Sequence, residues 1–225
     1  MIKIENLTLN AGKFRILTNV NFDIQDGEKL AFIGMNGSGK TTTINSILNF
    51  NSNYLGKITI DGYDARDIAC HKLLSFCPAE EIKDKIKVYN FLYSFAVLNG
   101  IDKSAVVKKI NYYINKFEVN PIVLKKKFNH LSSGQIQIIK IITSLLTNAK
   151  YIIMDEPANF LDPKIRYILY TIIKKSKKTF LISSHNIPEI KKICNRAVLI
   201  DKGQIIYHGS WKNLETNKKL KWLKY

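Results

Sequence analysis

The segment KLAFIGMNGSGKT, residues 29–41, decides the fold of this 225-residue chain. It starts with a short apolar run suited to a buried parallel strand. The rest fits G-x-x-x-x-G-K-[ST], which forms a phosphate-binding loop when it joins a strand to a helix. Residues 41–50 supply that helix, because Ile44, Ile47 and Leu48 recur at helical spacing. The sequence therefore predicts a strand, a phosphate-binding loop and a helix in succession.

The residue types of this loop explain how it would hold a phosphate. Its glycines let the backbone curl until several N–H groups point at one anion, and the helix N-terminus adds a positive dipole end. Lys40 would bring a full charge to the β- and γ-phosphates, and Thr41 a hydroxyl to Mg²⁺. The predicted nucleotide-binding residues here are Gly34, Asn36, Gly37, Ser38, Gly39, Lys40, Thr41 and Thr42.

An acidic pair follows a second apolar strand at residues 151–154. Asp155 comes 115 residues after Lys40 (155 − 40), and carboxylates at the C-terminal end of a buried strand lie where open α/β sheets place ligands. We expect Asp155 to hold Mg²⁺ and Glu156 to orient or deprotonate the attacking water. Alone, such a pair usually marks a strand end at the surface. Behind a phosphate-binding loop, it indicates ATP hydrolysis.

The segment LSSGQ, residues 131–135, precedes another apolar run. Its serines could cap a helix that begins there. Its small residues would also expose backbone N–H groups and a helix dipole to an anion. For this segment alone an ordinary helix cap is the simpler interpretation.

The order of these motifs resembles the nucleotide-binding subunit of ATP-binding cassette (ABC) transporters, over residues 1 to about 209. Ser133 replaces the first glycine of the family's LSGGQ signature. The matching segments are residues 34–41 for the Walker A loop, 131–135 for the signature, 152–156 for the Walker B strand and catalytic glutamate, Leu161-Asp162 for the end of the D-loop, and His185 for the switch histidine.

The resemblance implies a geometry and a set of partners. Two subunits, as a homodimer, would pack head to tail, so that Ser132, Gly134 and Gln135 of one close over the nucleotide held by Lys40 of the other. His185 would contact the γ-phosphate, and hydrolysis of ATP with Mg²⁺ would open the dimer. A separate transmembrane permease subunit would carry the transported substrate, and this chain would lie on the cytoplasmic face of the cell membrane.

The position where the family stacks adenine on an aromatic side chain differs here. That position, shortly before Gly12, holds Ala11. Either Phe14 substitutes for the missing ring, or base stacking is weak. Without an aromatic contact we expect loose selectivity between ATP and GTP.

The loop after residues 74–77 also departs from the family, which places a glutamine after a proline. Here Pro78 is followed by Ala79, Glu80 and Glu81. Glu80 is the candidate to replace the glutamine near Mg²⁺, although an ionised carboxylate only accepts hydrogen bonds. Glu81 would face the membrane partner. The alternative is that both are solvated loop charges.

The predicted fold class is α/β: a P-loop NTPase core of mainly parallel sheet, with an antiparallel β edge layer and an inserted helical subdomain. Residues 1–225 would form a single domain. Residues 1–78 and 151–225 would make the core and the β layer, and residues 79–150 the loop, the helical subdomain and the signature. In the insertion, residues 88–100 and 103–117 are helix-patterned, with Ser104 as an N-cap.

Alternation in residues 2–9 and 20–24 predicts the edge layer. The aromatic residues Tyr89, Phe91, Tyr93 and Phe95 are expected in the core of the helical subdomain. The remaining predicted strands are residues 2–9, 20–24 and 57–61 in the edge layer, 179–184 in the core, and 196–201 and 204–208 as a hairpin.

Composition restricts the class of protein. The formal net charge of +17 could attract anionic lipid or nucleic acid. Because the lysines are scattered, we favour a biased composition with solvated charge, and we expect no nucleic-acid partner.

Three cysteines without a C-x-x-C pair indicate a reducing compartment and no structural metal. Neither a signal-peptide pattern nor an apolar run of membrane-spanning length is present.

The whole sequence predicts a subunit that drives export of a peptide, an antibiotic or a lipid-like substrate. One alternative is an ABC ATPase without a membrane partner, acting in iron–sulfur assembly or on nucleic acid. Another is a cassette that binds ATP as a switch without turnover. The presence of Lys40, Asp155, Glu156 and His185 disfavours that third function.

Overall fold

The computed structural model of the chain describes residues 1–80, 82 and 85–216. The strands are β1 (Ile2–Ala11), β2 (Phe14–Ile24), β3 (Lys29–Ile33), β4 (Leu55–Ile60), β5 (Tyr63–Asp64), β6 (Leu74–Cys77), β7 (Tyr151–Met154), β8 (Thr179–Ser184), β9 (Arg196–Asp201) and β10 (Gln204–Ser210). They form one sheet in the order β2-β1-β4-β5 and a larger sheet in the order β10-β9-β3-β8-β7-β6.

The larger sheet is parallel from β9 to β6, with β10 antiparallel to β9. The smaller sheet is antiparallel. β2 is longer than the predicted residues 20–24, because its first residues pair with the end of β1, where Phe14 lies opposite Ala11. A mainly parallel core beside an antiparallel layer confirms the predicted fold class.

The helices lie mainly around the larger sheet. α2, α3 and α4 pack on one another and form the predicted helical insertion between β6 and β7. Within the described residues, no helix is both long and apolar enough to cross a membrane. The helices are α1 (Lys40–Ile47), α2 (Val88–Leu98), α3 (Lys103–Lys116), α4 (Ser133–Leu145), α5 (Pro163–Lys175), α6 (Ile187–Ile190) and α7 (Trp211–Thr216), with short 3-10 segments at Ile68–Leu73, Pro121–Lys125 and Phe128–His130.

Two predicted helix ends were wrong. α1 ends at Ile47 rather than near Phe50, because Asn49 has a left-handed φ of 58°, a conformation that commonly ends a helix. α3 is capped by Asp102 instead of Ser104. The side chain of Asp102 accepts a hydrogen bond from the Ser104 N–H at 2.8 Å, which satisfies a donor at the start of the helix.

The parallel strands of the larger sheet are buried on both faces, as such strands usually are. On β3, Leu30 and Phe32 belong to a hydrophobic cluster shared with α1 and the antiparallel sheet, whereas Ala31 and Ile33 belong to a cluster shared with α2 to α5. This alternation follows from the two-residue period of a strand. The aromatic side chains of α2, predicted in the core of the helical subdomain, are partly buried at its edge: Tyr89, Phe91 and Tyr93 pack against that cluster, and Phe95 stacks on Phe91.

The C-terminal ends of three strands meet at one edge of the larger sheet. β8 lies between β3 and β7, with Ser184 beside Ile33 and Ile182 beside Met154. The segments that follow these strands are therefore neighbours. They are the phosphate-binding loop, the acidic pair and the segment that starts at His185, at the edge where α/β sheets bind ligands.

Candidate functional site

The phosphate-binding loop wraps around its own lysine. Lys40 is buried, and its Nζ donates to the carbonyl oxygens of Gly34 at 2.7 Å and Met35 at 3.3 Å. Gly39 has a φ of 109°, and a Cβ there would lie 2.8 Å from Leu17 Cδ2. A side chain at this position would thus be strained and would clash with β2. Glycine is therefore the residue that fits this backbone conformation beside Leu17.

Asp155 is the centre of a buried polar cluster. Its carboxylate accepts a hydrogen bond from Thr41 Oγ1 at 2.7 Å and another from the hydroxyl of Ser183. Its backbone N–H donates to the Cys77 carbonyl at 2.9 Å. These contacts link Asp155 to the phosphate-binding loop and to both strands that flank β7.

The donor set at Asp155 fits Mg²⁺. Thr41 and Asp155 offer hard oxygen donors side by side, and Mg²⁺ is usually held by one or two carboxylates together with substrate phosphates and water. Across the described ranges, no group of three or more His, Cys, Asp or Glu is arranged to hold a metal by itself.

Glu156 lies between a cation and an imidazole. Its Oε2 is 2.9 Å from His185 Nδ1, and its Oε1 is 3.6 Å from Lys40 Nζ. Within the described part of the chain, Oε1 accepts no hydrogen bond although it is buried. An unsatisfied buried carboxylate oxygen is costly and is a natural acceptor for a bound water. The geometry suits a group that positions or deprotonates water.

Ser183 is a site residue that sequence reasoning missed. Its hydroxyl donates to Asp155 and accepts from the Glu156 N–H at 2.7 Å, so it joins both acidic residues. Its signal in the sequence was its place near the end of β8, two residues before His185. A cavity of about 80 Å³ beside these groups is lined by Glu156, Ser183 and His185 together with residues of α5 and α6.

The signature segment begins α4 as a capping box. Ser132 Oγ accepts from the Gln135 N–H at 3.3 Å, and Gln135 Oε1 accepts from the Ser132 N–H at 3.2 Å. The predicted helix cap is therefore present. A Cβ at Gly134 would lie 3.0 Å from the Phe160 carbonyl oxygen, so the segment adjoins the D-loop of its own chain.

Phe14 and Glu80, the candidate replacements for the family's adenine-stacking aromatic and loop glutamine, both lie at the surface. Phe14 is 78% exposed at the start of β2, three residues before Leu17. Glu80 is exposed after β6, and its backbone carbonyl accepts a hydrogen bond from Lys140 Nζ at 2.9 Å. Glu81 lies outside the described residues. Roles in adenine and metal binding stay predictions.

Known proteins are similar to this chain along most of its length. The protein-family model described as ABC transporter matches residues 17–159. A putative ABC transporter ATP-binding protein of Mycoplasma pneumoniae is 32% identical over 222 residues, which are 95% of this chain and 68% of that protein. The lantibiotic transport ATP-binding protein SrtF of Streptococcus pyogenes is 31% identical over 226 residues, covering 96% of this chain and 94% of SrtF.

Solved structures share the fold. The ATP-binding subunit of an ABC transporter has a TM-score of 0.90 at 23% identity, covering 98% of this chain and 94% of that one. The dimeric structure of a bacterial ABC transporter cassette has a TM-score of 0.82 at 23% identity, covering 93% and 98%.

The fold and the relatives together define a P-loop ATPase. The chain belongs to the ABC transporter family and is an ATP-binding subunit of that family.

Proposed function

We propose that this chain is the ATP-hydrolysing subunit of an exporter, acting as a homodimer beneath a separate transmembrane permease subunit. The observation that carries the proposal is the environment of Glu156, whose carboxylate contacts His185 and faces Lys40 with one buried oxygen unsatisfied. A carboxylate at this point can orient water towards a γ-phosphate held by Lys40. SrtF, which is similar over almost its full length, supports export of a peptide, an antibiotic or a lipid-like substrate.

Each motif residue has a defined part in the proposal. Lys40 binds the β- and γ-phosphates, Glu156 positions the water and His185 contacts the γ-phosphate. Thr41 and Asp155 would hold Mg²⁺, which would supply positive charge against the phosphates, and Glu80 would act as a hydrogen-bond acceptor towards the metal's outer shell. The phosphates lie on the loop residues Gly34, Asn36, Gly37, Ser38, Gly39, Lys40, Thr41 and Thr42.

The position of the signature supports a shared site between two subunits. α4 packs on β6, whereas the phosphate-binding loop follows β3. Three strand spacings separate β3 from β6 in the sheet, which is about 14 Å. This separation supports the proposal that Ser132, Gly134 and Gln135 serve a nucleotide on a second copy of the chain, and the exposure of Ser132 agrees with it.

Complementation between two inactive variants tests the shared site. Lys40→Ala removes the phosphate-binding charge. Ser132→Asp keeps an N-cap of the preferred type but places a negative charge against the phosphate, and Ser132→Asn keeps the cap without the charge. In an equal mixture of the two inactive chains, half of the dimers pair unlike subunits and contain one intact site. ATP hydrolysis should return to about one quarter of the wild-type rate.

Two results would contradict the shared site. One is a mixture no more active than its two components. The other is full activity of Ser132→Asp alone, with Ser132→Asn also active.

Purification of the tagged chain from membranes tests the exporter. A co-purifying protein with membrane spans supports it, whereas co-purifying cluster-assembly proteins or nucleic acid support the alternatives without a permease.

A further inference from the structure

Lys140 carries a charge in the interior of the protein. It lies on α4, and only 2% of its surface is exposed. An ammonium in such a position is strongly unfavourable unless its protons are bound. Lys140 Nζ donates to the backbone carbonyl oxygens of Ala79 at 3.1 Å and Glu80 at 2.9 Å. The signature helix is therefore attached to the loop after β6 by charge-assisted hydrogen bonds.

This loop leads directly to the metal site. The backbone carbonyl of Cys77, two residues before Ala79, accepts a hydrogen bond from the Asp155 N–H at 2.9 Å. Lys140 is therefore connected to Asp155 in three steps: its hydrogen bonds with Ala79 and Glu80, the backbone from Ala79 back to Cys77, and the Cys77–Asp155 hydrogen bond.

Gln137 makes a second contact from the same face of α4. It is 2% exposed, and its Nε2 donates to the Pro157 carbonyl at 2.9 Å. Residues three apart share a helix face, so Gln137 and Lys140 lie next to each other. Pro157 directly follows Glu156. α4 thus contacts both the loop that holds Glu80 and the segment that holds Asp155 and Glu156.

We propose that Lys140 is a positioning residue for ATP hydrolysis, one that couples the signature helix to the loop holding Glu80 and, through β6, to Asp155. The proposal rests on the homodimer described above, in which the start of α4 meets the partner's nucleotide. Because Lys140 binds backbone carbonyls, this coupling does not depend on the side chain at Glu80. The chain thereby has a connection between signature and metal site that requires no glutamine in this loop.

Removal of the ammonium donors tests the proposal. Lys140→Met keeps the length and the apolar stem of the side chain, and the two carbonyls that it releases belong to exposed residues. We expect kcat for ATP to fall by about tenfold or more while KM changes by less than about threefold, since the contact positions groups for the reaction. Lys140→Arg keeps the charge and should restore part of kcat.

Thr143→Val is the matched control. Thr143 is 5% exposed on the same helix, and its Oγ1 donates to the Ile139 carbonyl at 2.8 Å within α4. This variant should keep the wild-type kcat. Wild-type kcat in Lys140→Met would overturn the positioning role. Equal losses in Lys140→Met and Thr143→Val would assign the effect to a weakened helix and overturn it as well.

ATP-dependent dimerisation separates this proposal from the proposed function. Lys140→Met is combined with Glu156→Gln, and light scattering is measured with ATP and Mg²⁺. A dimer in the double variant, with lost kcat in Lys140→Met alone, supports both proposals. A dimer with unchanged kcat removes the role of Lys140 and leaves the homodimer standing. A monomer in Glu156→Gln itself removes the homodimer, and the coupling with it.

Discussion

The imidazole Nδ1 of His185 lies 2.9 Å from Oε2 of Glu156, although the residues are 29 positions apart. Glu156 follows β7, His185 follows β8, and the parallel pairing of these strands brings their ends together. Glu156 has a left-handed φ of 48°, which is unfavourable for a residue with a side chain. Such strain is often retained at functional sites, and here it accompanies contacts with both His185 and Lys40.

Replacing Glu156 should separate binding from hydrolysis. Glu156→Gln keeps the size of the side chain but loses the negative charge, so ATP binding should persist while the hydrolysis rate falls about 10²–10⁴-fold. Bound ATP should then hold the dimer closed by mass action. Light scattering and phosphate release measure the two effects. The control is Glu118→Gln, which alters a surface ion pair with Lys164 and should leave turnover unchanged. Unchanged turnover in Glu156→Gln would remove the proposed role of Glu156.

The adenine position should discriminate poorly between bases. With Ala11 at the hairpin end, we expect GTP to be hydrolysed at a rate comparable to ATP, and Ala11→Tyr to tighten ATP binding. A stacked aromatic contributes about 1–3 kcal/mol per base in single-strand binding sites, so the change is measurable by titration with labelled nucleotide. Tyr63→Ala, an exposed ring on β5 of the same sheet, is the control. If Phe14→Ala abolishes nucleotide binding, Phe14 supplies the ring and the expectation of loose selectivity is wrong.

Glu80 should affect the metal dependence of hydrolysis. If its carboxylate accepts from a Mg²⁺-bound water, Glu80→Ala should lower the ATPase rate of the isolated subunit and raise the Mg²⁺ concentration needed for half-maximal rate. Glu80→Gln keeps an acceptor oxygen and should lose less. Steady-state ATPase assays across a Mg²⁺ titration measure this. Wild-type behaviour of both variants would leave Glu80 as a solvated loop charge.

Stability should decrease in mild acid through His208. Burial and the Arg196 guanidinium lower the pKa of His208, and the Asp23 carboxylate only partly opposes them. The unfolded chain therefore takes up this proton at a higher pH than the folded chain. Stability is lost as the pH falls below about 6.5, the ordinary value for histidine. Thermal unfolding at about pH 7.5 and 5.5 measures the loss, with pH values chosen on either side of that value.

His208→Gln should reduce this pH dependence, because the titrating group is removed. The exposed His71 provides the control, since His71→Gln should leave the pH dependence as in the wild type. An equal fall of the unfolding midpoint in wild type and His208→Gln would show that other groups cause the acid sensitivity.

Local patterns predicted the elements well where the chemistry is local. The serines of residues 131–135 predicted a helix cap, and the structure shows that Ser132 forms it, as a capping box with Gln135 three residues on. Helix ends were less predictable. Ser104 and Asp102 both favour N-caps, and only the observed backbone shows that the helix begins after Asp102.

The sequence by itself determined the phosphate-binding loop, the acidic pair and most of the strands along the chain, because each depends on residue types within a few positions. Only the tertiary structure decided which distant groups meet. The hydroxyl of Ser183 reaches Asp155, and the ammonium of Lys140 reaches the loop at Glu80, across 28 and 60 positions. Such contacts arise from strand order and from the need of buried polar groups for partners, and no local pattern encodes either.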